Sequence, residues 1–284
     1  TVEFGDGFTP ARMSAAGIIS VASGQMTSGE LRFYKYRSLT NTSQLIQLNG
    51  SGTDSSYATR ILTTDSTDFA GAVYLRADRV QLDGGRFAAQ TTVEQLGASS
   101  AGRAMGGIIN SVTTLNAGGN RFLDSLIVIN RRSGIWEWEN SRQDTHAKGI
   151  RLTHAALGTG WTSLANTGVT TLPHLTVSSS TGVSASGGIR IGYAADTVFL
   201  PANKQLITQD FSAGHLEFHH LVRKGSGTEQ VLTLTDSAAL RIESSTFEPQ
   251  ITVTTPHFTL LSSVFYQVST FLKTRDEPTS LVDE

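Results

Sequence analysis

The run His215-Leu216-Glu217-Phe218-His219-His220 is the sharpest local cluster of chemistry-bearing side chains in the sequence. Side chains alternate along a strand, so His215, Glu217 and His219 share one face while Leu216 and Phe218 share the other. Two imidazoles and a carboxylate are donors for Zn²⁺ or another divalent metal, which makes His215, Glu217 and His219 a candidate metal set. The same residues also fit a surface ladder. If Leu216 stacks on Leu240, Glu217 falls beside Arg241 and His219 beside Glu243, about 4.8 Å away. Opposite charges placed that way stabilise by roughly 0.2–1 kcal/mol.

The three tryptophans make a second cluster: Trp136, Trp138 and Trp161, with Glu137, Glu139, Asp144, His146 and His154 around them. On the strand Ile135-Trp136-Glu137-Trp138-Glu139, the indoles face one way and the carboxylates the other. Flat aromatic faces beside acidic groups suit sugar rings, so Trp136, Trp138, Trp161, Glu137 and Glu139 are candidate ligand contacts. A carboxylate pair also serves glycoside hydrolysis when the two groups flank the scissile bond. Glu137 and Glu139 are neighbours on one face, and nothing in the spacing shows them flanking one. The plainer alternative puts both indoles in the core and both carboxylates in water.

Other chemistry is sparse. The sequence holds no Gly-x-Ser-x-Gly elbow, phosphate loop, dinucleotide fingerprint or His-Glu-x-x-His, and no cofactor is expected. Asp54, Asp65 and Asp68 crowd a Ser/Thr-rich stretch, in a spacing that reads as a turn cluster more readily than as a Ca²⁺ loop. Leu31-Arg32-Phe33-Tyr34-Lys35-Tyr36-Arg37 alternates aromatic and basic residues like a single-strand nucleic-acid platform. One edge strand with a basic face explains it equally. A net charge of −2, from 22 basic and 24 acidic residues, excludes a whole-chain electrostatic grip on nucleic acid.

The elements that must position these groups are strands. Hydrophobic periodicity is two almost throughout, as in Val73-Tyr74-Leu75, Val80-Gln81-Leu82, Ile150-Arg151-Leu152, Ile189-Arg190-Ile191 and Leu232-Thr233-Leu234. Each run is short and ends at Gly, Asn, Asp or Ser. Residues 88–104 come closest to an amphipathic helix, and the Gly and Ser at 97–102 would end it early. The 284-residue chain is 38% hydrophobic and 16% charged, the charged share below the roughly 25% of ordinary globular proteins, and Ser plus Thr make up about a quarter of it. It has no Cys, which excludes disulfides and thiolate metal sites. No apolar run approaches the ~20 residues that span a bilayer. The chain opens at Thr1 with neither basic n-region nor apolar h-region, so either a leader has gone or the sequence is a fragment. Asn41-Thr42-Ser43 and Asn49-Gly50-Ser51 match the glycosylation triplet, which chance supplies often in so Ser/Thr-rich a chain.

The strands recur as a unit. Leu232/Leu234 precede Leu240/Ile242, two serines and Phe247, and Ile251/Val253 precede Phe258/Leu260, two serines and Phe265. Val73/Leu75 likewise precede Val80/Leu82, two glycines and Phe87. An advance of roughly 18 to 25 residues is that of one solenoid coil. Each coil would point alternate apolar residues inward, bend at the small pair and stack its Phe on the next. A sandwich of short strands is the alternative. The fold expected is all-β: an elongated right-handed β-helix or solenoid, or a triple β-helix, with a less regular β region in the middle. The regions are an N-terminal β region over 1–104, an irregular Trp-containing region over 105–180, β-helix coils over 181–265 and a C-terminal arm over 266–284.

The apolar-x-apolar coils with Ser-Ser or Gly-Gly corners resemble right-handed β-helix proteins, and the composition resembles bacteriophage tail fibres and tailspikes. That resemblance implies a homotrimer at a virion or extracellular surface. Its partners would be other virion or tail proteins and a host cell-surface glycan, with no nucleic acid and no membrane span. Residues 61–76 are similar to the repeat of phage hyaluronate lyases, in which a Tyr and an Asp act together. Thr63 stands where that Tyr would align, so the likeness does not carry the activity. The function expected is structural and receptor-binding. The alternatives are a β-helical polysaccharide lyase or hydrolase, and a bacterial adhesin or autotransporter passenger.

Overall fold

The computed structural model describes residues 2–4, 12–13, 29–38, 40–48, 60–96, 114–131, 135–139, 141–155, 160–180, 183, 187–225 and 228–275. Among them are 32 strands and no helix. Every strand pairing among the described residues is parallel, and from Gly29–Tyr34 onward a strand pairs with the third strand after it, except that the ladder is interrupted once on each face, after Arg79–Asp83, Thr145–His146 and Leu206–Phe211. Three successive strands therefore make one turn of a coil, and successive turns stack into a solenoid-like column with three faces. The first face runs from Val2–Phe4 to His257–Leu261, the second from Arg12–Met13 to Val264–Phe265, and the third from Gln44–Gln47 to Thr270–Lys273. One turn takes 18 residues between Asp68 and Arg86 and 24 between Asp124 and Lys148.

The alternation in the sequence decides which side chains go inside. Val73, Leu75 and Ala77 are buried and Tyr74 and Arg76 are not; Leu216 and Phe218 are buried, with Glu217 between them on the outer side. Stacking the turns joins these residues into one core, at roughly 25 cal/mol of stabilisation per Å² of apolar surface removed from water. No single turn could cover its own apolar residues. On the second face, strands as short as Asp68–Phe69 and Arg86–Phe87 insert one ring each. Phe69, Phe87 and Phe122 form a near-parallel stack with centroids 5.7 and 5.0 Å apart, and Phe247 and Phe265 stack at 5.5 Å.

The paired small residues mark one structural position. Where the chain leaves the first face for the second, the corner residue takes a positive φ: Lys35, Ser66, Gly84, Glu139, Ala165, Gly192, His220, Ser244 and Ser262. That left-handed conformation costs little for Gly and is tolerated less readily by other residues. Ser244-Ser245, Ser262-Ser263 and Gly84-Gly85 are thus corners, as the repeat predicts. Ser245 also caps its corner, its hydroxyl donating to the Glu243 carbonyl and accepting from the Leu221 amide.

Several details differ from the sequence reading. Leu232 pairs with Val253, so the corresponding repeat positions Leu232 and Ile251 are offset by two residues in the ladder, and Asp236, at φ 53°, lies in the turn between Gln230–Thr233 and Ala239–Glu243. The described part of 105–180 keeps the order of the three faces, but the second-face ladder is interrupted within it, between Thr145–His146 and Val169–Thr171. The ladder also continues into the stretch read as an arm, where Thr270–Lys273 pairs with Ile251–Thr255. In the 88–104 segment, Thr91–Gln95 is a strand, and residues 97–104 lie outside the described part. Among the described residues no helix is long and apolar enough to cross a membrane.

Candidate functional site

The outer side of the first face carries three columns of side chains across consecutive turns. Ladder register puts Ile135, Trp161, Gly188, His215 and Ala239 in one column. Glu137, Ser163, Arg190, Glu217 and Arg241 make the second, and His219 and Glu243 begin the third beside the Gly192 corner. The Leu216-on-Leu240 register inferred from the sequence is the one observed, so Glu217 lies beside Arg241 and His219 beside Glu243. Neighbouring rungs are about 4.8 Å apart.

Small residues in these columns let large ones meet across an empty rung. Gly188 leaves Trp161 open to His215, with ring centroids 6.1 Å apart. No other residue fits there, because a Cβ on Gly188 would lie 2.0 Å from the His215 carbonyl oxygen. Ser163 likewise lets Arg190 reach Glu137, Nη2 to Oε1 at 2.9 Å, while its own hydroxyl accepts from Arg190 Nε at 3.0 Å. The guanidinium lies 3.9 Å from the Tyr193 ring centroid and 5.6 Å from that of Trp161, a desolvated cation over two aromatic faces. Tyr193 projects from the turn after Gly192 and is 52% exposed.

Tyr193 also meets His219 edge-on at 5.3 Å. His219 Nε2 is 3.1 Å from Glu217 Oε2, and Nδ1 is 3.3 Å from Glu243 Oε2. Arg241 closes the array on Glu243 at 2.7 and 2.9 Å. Burial raises the Glu217 carboxyl, but the hydrogen bond from His219 and the charges of His219, His215 and Arg241 outweigh it, holding Glu217 below the usual carboxylate range. The strip therefore alternates anion, cation, flat ring and imidazole along one side of the column. Its carboxylates and guanidinium are acceptors and donors for hydroxyls, and the exposed Tyr193 and half-buried Trp161 rings offer apolar surface.

The structure unites the two sequence clusters and divides each of them. Trp161, Glu137, His215, Glu217 and His219 share this strip. Trp136 and Trp138 do not contact a surface: both are fully buried and pack together at 5.1 Å, because residues on the inner side of the first face enter the core. Glu139 does not share a face with Glu137. The strand ends at Glu137, and Glu139, at φ 62° on the corner, turns its carboxylate inside. There it meets His146, Nε2 to Oε1 at 3.4 Å, close to Asp144. His215, Glu217 and His219 follow the ladder reading: Glu217 lies between the two imidazoles, 3.9 Å from His215 and 3.1 Å from His219, and His219 turns its other nitrogen to Glu243.

Arg190 and Tyr193 are the residues that sequence reasoning missed. The alternation of Ile189-Arg190-Ile191 signalled an outward Arg, but only the ladder register places it beside Glu137. Elsewhere, Asp68 pairs with Arg86 at 2.8 Å and Asp65 accepts from Ser66; Asp54 lies outside the described residues. Phe33 and Tyr36 are core, in edge contact at 5.4 Å, so residues 31–37 present no aromatic platform. Thr63, where the lyase-repeat likeness places Tyr, donates to Glu30 at 2.6 Å. On the third face, Tyr74 donates to Glu94, which also binds Arg76 and Arg131. Burial and then Glu94 push Tyr74 up to about 12, unsuited to a general base. Comparison with protein-family models, with curated proteins and with solved structures gives no match.

Proposed function

We propose that this chain is a structural and receptor-binding component of a phage or similar particle, displaying a glycan-contacting strip on a rigid, right-handed β-helical shaft. The observation that carries the reading is the continuity of Trp161, Arg190, Tyr193, His215, Glu217 and His219 across neighbouring turns, locked to one another by ion pairs and ring contacts. Pre-set rings and charges lose little conformational freedom on binding, which favours an extended saccharide over a flat surface. The backbone ladders hold the spacing of the strip, so the mechanism is rigid display without a moving part.

The same reading places the chain at a virion or extracellular surface, as a homotrimer among other virion or tail proteins. Support for association comes from the last turn among the described residues, where Val264, Tyr266, Val268 and Leu272 are each at least half exposed, an apolar concentration of the kind that marks interaction sites. Retention of the full chain on immobilised bacterial surface polysaccharides tests the reading. Binding that is lost on Trp161→Ala with the fold intact is expected. Failure to retain the wild-type chain on any of them would count against it.

A second reading, a polysaccharide lyase or hydrolase, is favoured by one observation: two carboxylates, Glu217 and Glu243, address opposite nitrogens of His219. It requires release of new chain ends from a polysaccharide and their disappearance in Glu217→Gln.

A further inference from the structure

The core contains a polar cluster that the outer strip does not use. In the second-face column, Phe69, Phe87 and Phe122 occupy successive rungs, and the next rung is His146. Its ring continues the stack on Phe122 at 5.2 Å and 4°. An apolar column has thus been interrupted by one imidazole, and two carboxylates reach it from the same turn. A donor atom from each of Glu139, Asp144 and His146 lies within 4.8 Å of the others, and the Glu139–His146 pair is at 3.4 Å.

We propose that Glu139, Asp144 and His146 bind one divalent transition-metal ion of the Zn²⁺ class inside the column. Asp144 supplies the second, independent sign. One of its oxygens accepts from the Asn120 amide at 2.7 Å and from the Asn120 side chain at 3.1 Å, while Oδ2 is buried with no partner. An unpartnered carboxylate oxygen inside the core is costly, and a cation is the partner that would also serve the neighbouring Glu139 carboxyl.

The surroundings have the form of an outer ligand shell. Asn120 orients Asp144, the Thr170 hydroxyl donates to Glu139 Oε2 at 3.3 Å, and Phe122 fixes the plane of His146. Tetrahedral coordination at 2.0–2.1 Å puts donors about 3.4 Å apart, the spacing that Glu139 and His146 already have. One imidazole and two carboxylates, three donors in all, match a four-coordinate ion with a water in the last position. They fall far short of the six to eight oxygens that Ca²⁺ takes.

The test is metal content of the full chain after refolding in the presence of Zn²⁺ and exhaustive dialysis, measured by mass spectrometry of the metal. The expected result is about one Zn²⁺ per chain, falling at least tenfold in Asp144→Asn and in His146→Phe. The Phe substitution extends the existing ring stack and so preserves the fold, read by circular dichroism. Added Zn²⁺ should raise the Tm of the wild type and leave that of His146→Phe unmoved. His219→Gln, in the outer strip, should retain the metal. A wild-type chain without Zn²⁺, retention in folded His146→Phe, loss in His219→Gln, or uptake of Ca²⁺ in preference to Zn²⁺ would each overturn the assignment.

Discussion

Trp161 and His215 meet across a rung that Gly188 leaves empty, their ring centroids 6.1 Å apart. The contact spans two steps of the ladder, and it exists because the middle position has no side chain. Arg190 and Glu137 are related in the same way over Ser163. The strip is thus assembled by what is missing from alternate rungs as much as by the residues that carry the chemistry.

Gly188→Ala should destabilise the fold by about 2 kcal/mol or more, since its Cβ would lie 2.0 Å from the His215 carbonyl oxygen and must push two turns apart. Denaturant unfolding followed by circular dichroism measures this. Gly149→Ala is the control, because its nearest new contact is an ordinary 3.5 Å, and it should change stability much less.

Arg190→Ala should cost roughly 2–4 kcal/mol, because it leaves the part-buried Glu137 unpaired and strips the cation from Tyr193 and Trp161. Arg190→Lys should recover only part of that, as an ammonium cannot serve Glu137 and Ser163 with the planar fork. A double-mutant cycle with Glu137→Gln checks the pairing. A coupling energy near zero would show that Arg190 acts through packing alone.

How much of this was legible in the sequence follows from where alternation holds. Period two assigned faces correctly on His215–His219 and yielded the Leu216–Leu240 register, since a one-residue error would have turned charge inward. The corners were visible as Ser-Ser and Gly-Gly, and the ring stack as a recurring Phe. Alternation breaks down at a left-handed residue, and so Glu139 was read as outward when the corner turns it in. Alternation put Trp136 and Trp138 together on one side of the strand and offered that side either as core or as a ligand surface; the choice needed the neighbouring turns that bury both indoles. Pairs such as Arg86–Phe87 are too short to carry a period, so the second face was not readable as a sheet.

Stability should also fall in mild acid for a stated reason. Burial of His154 in the core lowers its pKa to about 4, against about 6.5 when unfolded. The unfolded chain therefore takes up a proton first. Stability is full above pH 6.5 and declines as pH falls toward 4, by roughly 3 kcal/mol from this group. His154→Gln should flatten the slope between those limits, measured as Tm against pH. An unchanged slope would place the proton uptake elsewhere.

The most direct test of the central claim, that the first-face strip contacts glycan, uses Trp161 as its own reporter. Trp136 and Trp138 are 0% exposed, so a change in tryptophan emission on titrating the chain with fragments of bacterial surface polysaccharides must come mainly from Trp161. The account predicts a saturable change with at least one fragment, abolished in Trp161→Phe and weakened at least tenfold in Arg190→Ala. A silent wild type, or a response that persists in Trp161→Phe, would contradict it.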